Sequence, residues 1–199
     1  MADIARHTGS GVNNGSAVAG VVDGSVVLNS AIQTFFGYND GALQPSCGLL
    51  LTNAPAFQFR TRDLDFISAP IAMSSFRIAA KAYADDGGLG AASISFAAAG
   101  GLLIPVSIEC QAGAPAELTV AGICKSTDGT TSPITVGATA ITLPVHGDAY
   151  TIGSATFDTA VTGIQSMSLN WGYNPVTNEG ENGKPFPTLV YIDRQESSA

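Results

Sequence analysis

Charge is what this 199-residue chain has least of. Lys, Arg, Asp and Glu together make up 12% of it, about half the share usual in soluble domains. Eight basic residues face sixteen acidic ones, for a net charge of −8. That balance argues against ordinary phosphate-backbone binding, in which Lys and Arg displace counterions. Arg60/Arg62 and Arg77/Lys81 are the close basic pairs, and neither amounts to a patch. Cysteine is scarce too: Cys47, Cys110 and Cys124 are odd in number and show no CxxC spacing, so neither a zinc site nor a disulfide framework is written here and a reducing compartment is expected. Aromatics are 8% of the chain and no apolar run approaches a membrane span. The first twenty residues hold Gly, Ser and Asn where a signal peptide needs an apolar block, so a soluble protein made in the cytoplasm is expected.

The chain does hold a repeated phrase. Ile164-Gln165-Ser166-Met167-Ser168-Leu169-Asn170-Trp171-Gly172-Tyr173 leads through a polar loop to Gly183-Lys184-Pro185-Phe186-Pro187-Thr188-Leu189-Val190-Tyr191-Ile192. An earlier segment, 30–51, has the same frame: apolar alternation, Phe36-Gly37-Tyr38-Asn39, a loop ending at Gly41, Pro45, then Leu49-Leu50-Leu51. Ile32/Thr34/Phe36 and Met167/Leu169/Trp171 recur at period 2, as in a strand with one buried face. Both segments, 30–51 and 166–192, are therefore expected to be hairpins, with a bulge near Gly37 and Gly172. Their loops differ in length, so the scaffold repeats while the insertion, 173–185, diverges.

Around these phrases the organisation reads as one β domain over 21–193. Residues 1–20 are small and polar, with Gly at 9, 11, 15 and 20, and are expected to form an extended N-terminal arm; 194–199 is a polar tail. The segment Val21-Val22-Asp23-Gly24-Ser25-Val26-Val27-Leu28 carries an Asp-Gly turn signal between β-branched pairs and predicts a short hairpin. Ala56-Phe57-Gln58-Phe59-Arg60-Thr61 alternates as a strand. Thr61 then stands as an N-cap with Asp63 and Asp65 in a first turn and Leu64/Ile67 on one face, which predicts one short α-helix ending before Pro70. Residues 76–83 fit strand or helix, and 91–99 favours strand because Gly flanks it and Ser alternates within it. Strands are expected at 102–109, after a Gly100-Gly101 corner, and at 117–123. Turn signals recur about every ten residues beyond that, the spacing of a sandwich or barrel.

The search for chemistry finds no active site. His146 follows Pro144 in a turn and reads as a surface or capping residue, since a catalytic His needs a positioned partner. There is no G-x-S-x-G elbow and no phosphate loop: Gly183-Lys184 lacks the preceding Gly and runs into Pro185. The stretch Asn178-Glu179-Gly180-Glu181-Asn182-Gly183 imitates a calcium loop, but Gly180 stands where a ligand belongs and Leu189 where the bidentate Glu belongs. It reads as a hairpin tip. No cofactor, no metal and no catalytic residue is expected. The plainer alternative for so uncharged a chain is a neutral-surfaced monomer; the sharper one is a surface covered by copies of itself.

The order of motifs carries a resemblance. A polar arm is followed by Asp40-Gly41-Ala42-Leu43-Gln44-Pro45, then Pro55-Ala56-Phe57, then Thr61-Arg62-Asp63-Leu64. Later come Thr127-Asp128-Gly129-Thr130-Thr131-Ser132-Pro133-Ile134, Tyr150-Thr151-Ile152-Gly153, the Ile164 to Leu169 strand and a closing Gly-x-x-x-Pro-Thr strand. In this order, over most of 24–194, the chain resembles the major tail tube proteins of long-tailed bacteriophages. The resemblance implies a mainly β fold, an antiparallel β-sandwich or barrel with a short flanking α-helix, an N-terminal arm and a long hairpin loop. It also implies six copies closing a ring and rings stacking into a tube through which DNA passes without sequence-specific binding, in the virion tail, in contact with other tail proteins and with no membrane. An acidic balance suits that passage, because like charge suppresses adhesion. Strands of each subunit are expected to continue a β-structure around the ring, while the insertion loop and the arm reach a neighbouring ring. The interaction candidates are Tyr173, Asn174, Glu179, Glu181 and Lys184 in the insertion, and Thr61, Asp63 and Leu64 at the helix start. The rival expectation is a head decoration or other capsid-bound β module, and a Ser/His hydrolase using His146 stands third.

Overall fold

A computed structural model describes residues 7–27, 32–39, 42–50, 54–83, 89–142, 150–153, 155–157, 159–161, 163–178 and 183–193. His146, Glu179 and Glu181 lie outside the described residues, as do 1–6 and the 194–199 tail. In chain order the strands are β1 His7–Asn14, β2 Ser16–Ala17, β3 Val21–Val27, β4 Ile32–Asn39, β5 Ala42–Leu50, β6 Ala56–Thr61, β7 Ile71–Ala72, β8 Arg77–Tyr83 and β9 Leu89–Ala98. They continue with β10 Gly101–Gln111, β11 Glu117–Cys124, β12 Ile134–Gly137, β13 Ala155–Phe157, β14 Thr159–Val161, β15 Ser166–Asn170, β16 Asn174–Thr177 and β17 Val190–Asp193.

The strands form a mainly β, antiparallel architecture around two larger sheets. One sheet is ordered β12-β9-β8-β1-β2; the other is ordered β15-β10-β11-β6-β3, with β7 beside the start of β10. The inward side chains of the two sheets make one core. Val12 and Ile78 come from the first sheet, Phe57, Phe59, Leu103, Leu118 and Val120 from the second. Phe76 sits between them, with its ring 4.9 Å from that of Phe57 and 6.2 Å from that of Phe59. Each such buried aromatic or aliphatic side chain is worth about 2 kcal/mol of transfer free energy. The alternation in the sequence is the cause: in β6, Phe57, Phe59 and Thr61 are buried while Gln58 and Arg60 are exposed.

The Gly100-Gly101 corner passes the chain from one sheet to the other. Gly101 has φ 149°, and a Cβ there would lie 2.1 Å from the Ile123 carbonyl oxygen, so glycine is required for β10 to start against β11. Pro105 is fully buried inside β10, and its strand tolerates it because the register with β11 shifts between Pro105 and Ser107. Residues 76–83 and 91–99, open between helix and strand on propensity, are β8 and most of β9.

Four expectations are corrected. Residues 7–20 are not an arm: β1 pairs with β8, β2 folds back on β1, and Val12 and Val18 are buried in the core. A segment with two large apolar residues is held because its backbone hydrogen bonds are satisfied by the ladder and both of those residues point inward. The Asp-Gly pair at 23–24 is not a turn. It lies within β3, paired along β6, with Gly24 packed against Ile78 and Phe59 on the inner face and Asp23 turned outward to Arg60.

The helix expected from Thr61 is absent, and residues 62–70 form turns and bends. Thr61 Oγ1 does accept the Asp63 N–H at 3.0 Å, as a cap would. The chain then makes a single tight turn closed by Phe66 N–H on the Asp63 carbonyl, and Leu64, Phe66 and Ile67 are all drawn onto the core. Apolar residues at consecutive and alternate positions cannot share one helical face.

The two repeated phrases also pair differently. In the first phrase β4 and β5 pair antiparallel, with the register shift where Phe35 pairs Cys47 and Phe36 pairs Pro45. In 166–192, by contrast, β15 pairs with β10, and the hairpin is made by β16 and β17. Gly172, at φ 64°, is the corner between β15 and β16, with its N–H bonded to Asn170 Oδ1 at 2.8 Å.

Candidate assembly interface

β15 is an edge strand of the six-stranded sheet, and among the described residues no strand covers its outer side. Its register places Leu169 opposite Ile108 and Met167 opposite Cys110. Ile108 packs against the core, so Met167 and Leu169 lie on the inward face of the sheet. They are nevertheless 41% and 51% exposed. Trp171, just beyond the strand, is packed against the core and fixes its end, and its N–H donates to the Val106 carbonyl at 3.2 Å. The outward face carries Ser166, Ser168 and Asn170 beside Gln111, Glu109 and Ser107. No charge and no proline interrupts β15.

β3 is the other edge of the same sheet. Val21, Gly24 and Val26 turn inward against Thr61, Phe59 and Phe57, while Asp23 and Ser25 turn outward over Arg60 and Gln58. Asp23 is held by Arg60, whose Nε donates to Asp23 Oδ2 at 2.9 Å and whose Nη1 donates to Glu117 Oε2 at 2.9 Å. The hydrogen bond from Arg60 is the main reason the Asp23 carboxyl lies below its ordinary range, and Asp23 in turn raises Arg60. Glu117 faces Glu109 directly across β10 and β11, a like-charge pair that Arg60 and, at 3.8 Å, Arg62 help to offset. The edge therefore presents its one charge already paired.

The insertion is held at its base. Asn178 Oδ1 accepts the N–H groups of Thr188 and Leu189 at 3.0 and 2.7 Å, and its Nδ2 donates to Thr188 Oγ1 at 2.9 Å. The same segment docks on the 126–131 loop through Phe186 N–H to the Gly129 carbonyl and Ser126 N–H to the Pro187 carbonyl. That loop is closed by Asp128, whose carboxylate accepts the N–H groups of Thr130 and Thr131 and the hydroxyls of Thr131 and Ser126. These bonds, the backbone ones first, hold its carboxyl well below the usual range.

Of the expected interaction residues, Tyr173 and Asn174 are exposed at the start of the insertion. Lys184 lies along the loop instead: a Cβ at Gly129 would come within 2.5 Å of its Cδ. Thr61 is fully buried, donating to the Ala19 carbonyl at 2.6 Å, and Leu64 packs against the core. Thr61 and Leu64 thus hold the turn after β6, with Asp63 half-buried beside them, and this group is not brought together with Tyr173 and Asn174. Sequence reasoning missed the exposure of Met167 and Leu169. Period-2 alternation marks an apolar face without saying whether anything covers it.

Two clefts flank this edge. One of about 540 Å³ is lined by Arg62, Glu109, Glu117 and Ser168 among others, and one of about 220 Å³ by Leu64, Cys110, Tyr150 and Met167 among others. Cys124 is buried, and its thiol is pushed up to about 12 by burial. Among the described residues no three of His, Cys, Asp and Glu are grouped to hold a metal ion, and no helix is long and apolar enough to cross a membrane. The chain matches no protein-family model, no curated protein and no solved structure.

Proposed function

We propose that the chain is a virion structural protein, the tail tube subunit of a long-tailed bacteriophage, and that it performs no bond-making. Its copies close rings, six to a ring by the resemblance, and the rings stack into a conduit through which DNA travels. The observation that carries this reading is the β15 edge, which no strand among the described residues covers, with Met167 and Leu169 half-exposed on its inward face. Edge strands of monomeric proteins are blunted by charges, prolines or coverage, and β15 has neither charge nor proline. A surface with so little charge, an acidic excess that does not hold a polyanion, and an insertion anchored at its base by Asn178 are consistent with the same role. The partners are then other copies of the chain and other tail proteins, and the protein resides in the virion tail.

Electron microscopy and sedimentation of the purified protein over a range of concentrations test the proposal. Hollow filaments or stacked rings are expected. A monomer at every concentration would remove the reading, and discrete trimers that bind a capsid lattice without polymerising would replace it with the head-decoration alternative.

A further inference from the structure

The strands β4 and β5 stand apart from both larger sheets. They pair antiparallel with each other, from Ile32 with Leu50 to Asn39 with Ala42, and among the described residues no other strand joins either of them or lies along them. A ribbon of two strands is marginal in water, because both of its edges are open and too little apolar surface is covered. β15 has the complementary need: no described strand lies on its outer side, and Met167 and Leu169 are half-exposed on its inward face. Resting on the proposed ring assembly, we infer that β4 of one copy adds to the outer side of β15 in the next, so that the β4–β5 ribbon extends the neighbour's six-stranded sheet by two strands.

Edge chemistry selects β4 over β5. β5 holds Pro45, which has no N–H to give to a new ladder, whereas β4 has no proline. Electrostatics select the junction. Each copy carries a net charge of −8, yet β4, β5 and β15 hold no charged residue, so the copies meet where no like charges face each other. Polarity orients it. By register, positions Ile32, Phe36, Tyr38, Leu43 and Leu50 share one face of the ribbon, while the three amides, Gln33, Asn39 and Gln44, fall on the other. β15 divides in the same way, with Met167 and Leu169 on one face and Ser166, Ser168 and Asn170 on the other. Joined with the apolar faces on the same side, the strands continue one apolar surface; reversed, Met167 and Leu169 would border the amides. The eight residues of β4 suffice to cover the five of β15. Because the two joining surfaces differ, the contact is head-to-tail, as a ring requires, and one kind of junction supplies both missing partners. β15 against its own copy about a two-fold axis would leave β4 and β5 without one.

Two blocked forms test it. Thr34→Lys/Phe36→Lys charges β4 and leaves β15 intact; Leu169→Lys does the reverse, lysine being a residue that blunts strand edges. Each form alone is expected to sediment as a monomer with a urea midpoint close to the parental one, since β4 pairs with neither larger sheet and Leu169 is half-exposed. Mixed one to one, they are expected to give a dimer of twice the 20.2 kDa chain and nothing larger, because each pair of copies then holds one usable β4 and one usable β15. Gln33→Cys added to the Leu169→Lys form and Ser168→Cys added to the other let a bismaleimide trap that dimer on a denaturing gel, with the same mixture lacking the added cysteines as control. A dimer of the Thr34→Lys/Phe36→Lys form with itself would show β15 meeting β15 and overturn the seam. Parental rings from either blocked form would overturn it too, as would a mixture that yields no dimer by either readout while the parent forms rings. In these three cases the tube reading stands. A parent that stays monomeric at every concentration overturns the seam and the tube reading together.

Discussion

Asn178 grips Thr188 with both ends of its side-chain amide: Oδ1 accepts the Thr188 N–H at 3.0 Å while Nδ2 donates to Thr188 Oγ1 at 2.9 Å. The same Oδ1 also takes the Leu189 N–H at 2.7 Å, so one side chain adds to the backbone bond from Asn178 N–H to the Leu189 carbonyl at the point where β16 and β17 part. Removing it leaves the part-buried Thr188 N–H and the exposed Leu189 N–H without these partners. Asn178→Ala is expected to cost about 1–3 kcal/mol in chemical denaturation. Asn178→Asp keeps the acceptor and loses the donor to Thr188, so it should fall between Ala and the parent. A loss below about 0.5 kcal/mol for Ala would show that the base of the insertion is held by other contacts.

Asp128 predicts an acid-sensitive loop. Its folded carboxyl is held below the ordinary value by the N–H groups of Thr131 and Thr130, then by the hydroxyls of Thr131 and Ser126. A depressed carboxyl stabilises the fold above its unfolded value near 4, and that stabilisation fades as the pH falls below 4 toward the folded value. Urea midpoints of the parent should therefore drop between pH 5 and pH 2 more steeply than those of Asp128→Asn. The asparagine still offers one acceptor oxygen but carries no charge to titrate. Parallel curves for the two proteins would show that the loop does not depend on the ionised form.

Much of the strand content was legible because it rests on short-range facts. The Phe57/Phe59 alternation, the Gly100-Gly101 corner and the β10 and β11 runs each announce themselves within ten residues. The features that were not legible depended on distant neighbours. Asp23-Gly24 has the chemistry of a turn, and it is the pairing with β6, further along the chain, that holds it within β3. Residues 7–14 look like an arm until β8 supplies the ladder. Thr61 caps as expected, yet tertiary packing takes Leu64, Phe66 and Ile67 in directions no helix allows. At the candidate interface the apolar stripe Met167/Leu169/Trp171 was visible, but its division into one packed residue and two exposed ones depends on tertiary neighbours that a period-2 pattern does not encode.

The corner between the sheets is expected to be the least tolerant glycine. Gly101→Ala must place a methyl 2.1 Å from the Ile123 carbonyl oxygen, against backbone that cannot step aside, and at φ 149°. A loss of at least about 3 kcal/mol, or failure to fold, is expected. Gly113→Ala makes the control: it too has positive φ, 78°, but nothing lies within 4 Å of the added carbon. It should cost about 1 kcal/mol, the strain alone. Equal losses in thermal or urea unfolding would mean that φ rather than the Ile123 contact sets the requirement.

Met167 and Leu169 separate folding from assembly. Both are on the inward side of β15, yet 41% and 51% of their surface faces solvent in a single copy. Had they been core residues, a change to serine would cost several kcal/mol each through lost transfer energy and cavity formation. As half-exposed edge residues they should cost the isolated chain about 1 kcal/mol or less apiece, and β15 should keep its pairing with β10. Joining another copy buries the remaining surface, so the penalty recurs at every junction and grows with the number of junctions in a polymer. Met167→Ser/Leu169→Ser is therefore expected to unfold at nearly the parental urea midpoint while failing to form rings or tubes in sedimentation and microscopy. Val136, 64% exposed at the end of the other sheet on β12, supplies the matched control: Val136→Ser should leave both stability and polymer length unchanged. If the double variant polymerises normally, or if Val136→Ser abolishes assembly and the β15 changes do not, the contact surface lies at the other sheet's edge.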